Sequence, residues 1–342
     1  MRSGFLTVAA VLALLLPACS DGKATKVAIV TNNPADFWNI VEAGARKAEA
    51  EMSVGVEFRR PANGTAAEQK QIVEALLAQG MNGIAISVLD PENQTTFLNE
   101  IAGQTNLITQ DNDAPLSKRL AYIGTDNYLA GKAVGRLVKE AMPEGGTIAV
   151  FVGVMTSLNA QQRFQGVVDE LAGQKDAKGP TYGKYTLYGD VRTDGTELKV
   201  AKDVAATVLG ELEPKINAGE KVCMIGLYAY NPPAILTAAR ERNLVGKFKI
   251  VGFDEDSETL RGIDKGEIHG TVVQDPFGFG YESVKMLVQL AKGDKSGLPA
   301  DGLKAVPHRI VTKAGGKDPV TGETRLVAVD YAKELETLMK KK

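Results

Sequence analysis

The chain is poor in the residues that build metal centres and nucleophile–base pairs. Its 342 residues include two cysteines, Cys19 and Cys223, and two histidines, His269 and His308. So few, so widely spaced, they give poor support to a zinc site or a Ser-His-Asp triad. No metal or cofactor is expected. An internal disulfide is also unexpected, because Cys19 is accounted for below. Cys223 stands in the apolar run Val222-Cys223-Met224-Ile225 and reads as a buried structural thiol. Charge of either sign is nearly balanced, at a formal net −2, which offers nucleic acid no electrostatic reason to bind. Aromatic residues are 6% and Trp38 is the single tryptophan. Short-period repeats and low-complexity tracts are lacking.

One apolar run stands out, Phe5 to Leu16, preceded by the positive Arg2. It is too short to span a bilayer and has the proportions of a signal-peptide core. Leu16-Pro17-Ala18-Cys19 follows and resembles a lipobox, where a signal peptidase cuts ahead of a diacylated cysteine, although Pro17 departs from the residue type usual there. Residues 1–18 are therefore expected to be a lipoprotein signal peptide and 19–25 a tether. Two acyl chains on Cys19 would anchor the mature chain firmly to a membrane outside the cytoplasm.

What is plentiful is apolar material, 44% of the chain, in a regular alternation. Compact apolar runs predict strands at Lys26–Val30, Val54–Phe58, Gly83–Val88, Asn106–Thr109 and Leu120–Gly124. Between them lie helix-period segments at 37–52, 65–79 and 91–102. Thr65 and Glu68 have capping-box spacing. The alternation restarts with a helix at 129–141 and strands at 147–152, 181–188, 222–226, 249–252, 270–273 and 306–311. Residues 313–324 read as an exposed loop. Apolar strands alternating with amphipathic helices predict an α/β fold of two doubly wound parallel-sheet lobes.

Ligands of such sheets sit beyond the carboxyl ends of the strands. Polar and aromatic residues collect there: Asn32, Asn33, Asp36, Phe37 and Trp38 after the first strand, and Asp111 and Asn112 after the fourth. Asn159 and Arg163 stand near a helix start. Tyr230, Asn231, Asp254 and Gln274 follow later strands. Asp, Asn, Gln and Arg make the paired hydrogen bonds that hydroxyl-rich ligands require, and Phe37 and Trp38 could pack on the apolar face of a ring. Singly, a strand-end Asp is more often a cap or turn residue, and two adjacent aromatics are often core. Asp36 is as good a candidate for the N-cap of the helix from Phe37 as for a ligand contact. The recurrence at successive strand ends is the signal.

The order of these landmarks resembles the type I periplasmic sugar-binding proteins, the ribose-binding branch in particular, which share a fold with LacI-type repressor cores. They are the Asn-Asn-Pro with paired aromatics, Asp111, Ile123-Gly124-Thr125-Asp126-Asn127, Arg163-Phe164-Gln165-Gly166, Val251-Gly252-Phe253-Asp254 and Gln274, over roughly Lys26 to Lys313. The resemblance implies that Phe37 and Trp38 sandwich a sugar ring and that Asp111, Asp254 and Gln274 bind its hydroxyls. Arg163 would reach the ring oxygen or anomeric hydroxyl, and Tyr230 or Asn231 would fill the place of a family Asn. Asn112 stands where ribose binders carry Arg, which counts against ribose itself.

It further implies a monomeric clamp with no enzymatic activity, hinged at three crossings near 124–127, 273–276 and 299–306. Residues 26–125 with 276–305 would form the N-terminal lobe and 126–275 with 306–330 the C-terminal lobe, leaving 331–342 as a terminal helix or tail. The closed form would deliver a neutral monosaccharide to the membrane permease of an ABC importer, or present it to a chemoreceptor or sensor kinase. A repressor would need an N-terminal helix-turn-helix, where this chain has its apolar leader. The cleft side chains are expected to matter for binding far more than for folding.

Overall fold

The computed structural model describes residues 25–340; Cys19 and the leader lie outside them. The first part of the chain runs β1 (Lys26–Val30), α1 (Phe37–Met52), β2 (Gly55–Arg59), α2 (Ala66–Ala78), β3 (Gly83–Ile86), α3 (Pro91–Ala102), β4 (Asn106–Gln110) and β5 (Tyr122–Gly124). Then follow α4 (Asn127–Ala141), β6 (Gly146–Val152), α5 (Leu158–Ala172), the short β7 (Thr181–Tyr182), β8 (Tyr185–Leu187) and β9 (Arg192–Thr193), and α6 (Leu198–Asn217). The same lobe continues with β10 (Val222–Gly226), α7 (Asn231–Glu241), β11 (Lys249–Phe253), α8 (Ser257–Lys265) and β12 (Gly270–Val273). The chain ends with α9 (Pro276–Ala291), β13 (Leu303–Ala305), β14 (Arg309–Thr312), β15 (Gly316–Lys317), β16 (Thr324–Val327) and α10 (Ala328–Lys340).

Two sheets result. The first is wholly parallel, in the order β13-β5-β4-β3-β1-β2. The second has ten strands, with β12-β11-β10-β6 as its parallel centre. Central strands such as β3 and β10 are buried at every residue, because helices cover both faces; this is why they read as unbroken apolar runs.

The chain passes from one sheet to the other after β5, after β12 and after β13. The third passage is residues 306–308, later than the expected 299–306, since β13 pairs with β5 in the first sheet. Pro307 has no N–H to give a ladder, so the strand expected from Val306 begins instead at Arg309 and runs antiparallel to β12. The stretch read as an exposed loop, 313–324, holds β15. It also holds Asp318, 1% exposed and paired with Arg136 and Arg325. Helix α10 starts at Ala328, three residues earlier than the expected tail, and buries Tyr331 and Leu335 in the core formed by α6, α7 and α8.

Two glycine contacts set the helices that matter below. A Cβ on Gly131 of α4 would lie 2.2 Å from the Arg163 carbonyl, and one on Gly166 of α5 would lie 2.2 Å from that of Tyr128. Reciprocal close approach of this kind fixes α5, and hence Arg163, against α4. Gly44 of α1 and Gly280 of α9 make the same arrangement in the other lobe.

Candidate functional site

Each lobe ends one central strand with an aspartate in the left-handed backbone region, Asp111 after β4 at φ 60° and Asp254 after β11 at φ 67°. Aspartate tolerates that conformation better than most residues. In both cases the backbone N–H donates to the next strand: Asp111 to the Ile123 carbonyl and Asp254 to that of Val272. The two carboxylates are 6% exposed. Ser87 Oγ donates to Asp111 Oδ2 at 3.0 Å, and Gln274 Nε2 donates to Asp254 Oδ1 at 2.8 Å.

Arg163 stands between them electrostatically. Its Nε donates to Asn127 Oδ1 and its Nη1 to the Leu227 carbonyl, both at 2.9 Å. The guanidinium lies 3.8 Å over the Phe253 ring and 5.9 Å from that of Tyr228; such stacking holds a planar cation in place. Burial pushes the Asp111 carboxyl up to about 6. Attraction to Arg163 and the Ser87 bond work against that rise, and repulsion from Asp254 adds to it. Asp254 is raised too, by burial, against the pull of Arg163 and Gln274.

Three more of the expected residues present buried oxygens with no hydrogen-bond partner: Asn32 Oδ1, Asn159 Oδ1 and Gln274 Oε1. Unpaired buried acceptors are costly. Like the two carboxylates, each is an acceptor that a hydrogen-bond donor would satisfy. Trp38 is 1% exposed; its Nε1 donates to Asn33 Oδ1, and its ring meets that of Phe37 edge-on at 5.2 Å. Phe37 also approaches Phe279 and packs on the first-lobe core.

Other expected residues are engaged within the protein. Asn33 Oδ1 also accepts from Ala35 N–H. Asn112 donates to the Val88 carbonyl and accepts from the Asn159 N–H at 3.3 Å, a bond that ties the two lobes together. Tyr230 Oη and Asn231 Nδ2 both donate to Asp194, and Asn231 Oδ1 accepts from the Tyr228 N–H. Asp36 is exposed and bonds Asn39; its side chain makes no capping bond to α1. Residues missed from the sequence are Ser87, Asn127, Asp194 and Tyr228. Ser87, Asn127 and Tyr228 do follow strand ends, the signal that would have found them. Among the described residues no cluster of His, Cys, Asp or Glu could hold a metal ion, and Cys223 is buried with its thiol pKa well raised by burial.

The sequence profile of the periplasmic binding protein domain matches residues 27–295. This chain belongs to the periplasmic binding protein family. Family members bind solutes outside the cytoplasm, and this periplasmic binding protein is not an enzyme. Its sequence is similar to the ribose import binding protein of Escherichia coli, 23% identical over 85% of this chain and 92% of that one. The D-allose-binding periplasmic protein of the same organism is 25% identical over 82% and 87%. Among solved structures, the glucose-galactose binding protein GanP of Geobacillus stearothermophilus superposes with a TM-score of 0.76 at 27% identity, over 85% and 98% of the two chains. An ABC transporter solute-binding protein of Burkholderia graminis in complex with D-arabinose gives 0.77 at 26%, over 86% and 97%.

Proposed function

We propose that this periplasmic binding protein captures a neutral monosaccharide by closing its two lobes and hands it to the permease of an ABC importer. The observation that carries the reading is the pair of buried carboxylates, Asp111 of one lobe and Asp254 of the other, that share the charge of the buried Arg163. A sugar hydroxyl donates and accepts at once, so it satisfies such a set. A carboxylate or phosphate ligand would meet Asp111 and Asp254, with Arg163 already shared between them. The relatives named for ribose, allose, arabinose, glucose and galactose support the same class.

Trp38 provides the optical test, as the single tryptophan. Binding of a neutral pentose or hexose is expected to change its emission, raise the melting temperature and shrink the radius of gyration in one titration. A screen in which only acidic ligands bind, or a bound sugar that leaves the scattering profile unchanged, would overturn the closing clamp.

Anchoring through Cys19 belongs to the same proposal; that residue lies outside the described ones. Mass spectrometry of membrane-derived protein should find a diacylglyceryl group on Cys19 at the mature N-terminus. An unmodified cysteine, or cleavage elsewhere, would remove the anchor from the reading.

A further inference from the structure

Arg163 and Asp111 lie on different lobes, yet a continuous chain of hydrogen bonds joins them by way of the first crossing. Asn127 opens α4 just past that crossing and is 3% exposed. Its Oδ1 holds Arg163 Nε at 2.9 Å. Its Nδ2 reaches the Thr125 carbonyl at 3.1 Å and the Tyr122 hydroxyl at 3.3 Å. The Tyr122 hydroxyl lies 2.9 Å from the Asp111 carbonyl and 3.1 Å from that of Thr125. Tyr122 is 6% exposed on β5. A methyl at Gly124 would fall 2.3 Å from its hydroxyl, so the glycine of the crossing makes room for the ring.

Every member is buried, so each bond is sheltered from competing water. The backbone of Asp111 is also the part that sets its left-handed turn. Turning one lobe against the other changes the direction from α4 to β5, and Asn127 is the side chain that senses both.

We infer that Asn127 is a positioning residue that, with Tyr122, couples the guanidinium of Arg163 and the backbone of Asp111 to the angle of the first crossing. Neither residue needs to touch the ligand. The inference rests on the reading of Arg163 and Asp111 as ligand contacts for its effect on affinity, but not for its effect on lobe angle.

The experiment is a double-mutant cycle on the full chain with Tyr122→Phe and Asn127→Ala, with Asn127→Ser replacing the latter if melting shows that it does not fold. The probes are the monosaccharide that binds wild type best and solution scattering of ligand-free protein. Each single variant is expected to weaken affinity roughly ten-fold, the effect of one sheltered hydrogen bond, mainly as faster release. Each should also enlarge the ligand-free radius of gyration. The double variant should be no worse than Asn127→Ala alone, because both act through one relay. Losses that simply add, or singles with wild-type release rates and wild-type radius, would overturn the relay. If wild type binds no monosaccharide, the sugar-clamp reading fails on its own, and the same cycle read on the ligand-free radius still decides the relay.

Discussion

Arg163→Ala is expected to lower sugar affinity by about 30- to 1,000-fold, or roughly 2–4 kcal/mol. The substitution removes the cation that offsets two buried carboxylates, whose pKa values Arg163 now holds down against burial, so both rise further. Folding will suffer as well, contrary to what the sequence suggests for cleft residues. Arg163 is 2% exposed, stacks on Phe253 and satisfies the Leu227 carbonyl and Asn127. Loss of those bonds leaves buried acceptors unpaired, at about 1–3 kcal/mol each. Arg163→Lys keeps the charge but not the fork, and should fall between wild type and the Ala variant. Calorimetry for binding and urea unfolding for stability separate the two effects. Near wild-type affinity in the Ala variant would sink the assignment of the site.

The second large effect is on the dependence of stability on pH. Burial raises the Asp111 carboxyl from 3.8 to about 6. Between those values the folded state holds a proton that the unfolded state has released, so stability falls as pH rises through the window. At 1.36 kcal/mol per pH unit the full penalty above pH 6 is on the order of 3 kcal/mol. Asp254 is raised as well and pulls in the same direction. Asp318 is lowered, by backbone N–H groups and by its arginines against the cost of burial, and its stabilisation is lost only as pH falls below the ordinary carboxylate range.

Asp111→Asn should therefore be more stable than wild type at pH 7.5, and the gap should narrow as pH falls through that window, closing only below the unfolded value of 3.8. The same variant should bind sugar more weakly at neutral pH. Parallel stability curves for the two proteins between these values would refute the buried, strained carboxylate. The result would show a site that costs the fold stability in order to hold charge where a ligand needs it.

Much of this was legible because the governing patterns are local. The apolar runs gave the central strands, and helix α1 occupies the span that its periodicity marked, Phe37 to Met52. Asp111, Asp254 and Gln274 stood out because strand-end position and residue type coincide, and Arg163 because it stands near a helix start. Asn33, Asn112, Tyr230 and Asn231 carried the same signal and proved to be bonded within the protein. An amide at a strand end serves a ligand or the frame equally well, and only the neighbours decide. Asp194, which holds both Tyr230 and Asn231, lies thirty-six residues from the nearer of them. The Asp318–Arg136 pair spans 182 residues. No periodicity records partnerships of that reach.

Both lobes are discontinuous, and this bears on the order in which the chain can fold. The first sheet takes its edge strand β13 and its covering helix α9 from residues after 275, and the second lobe waits for β14 and for Tyr331 and Leu335 of α10. Neither half can complete its core until almost all of the chain has emerged. Contacts of such long sequence separation make folding slow, so both lobes wait for the C-terminal segments before their cores close.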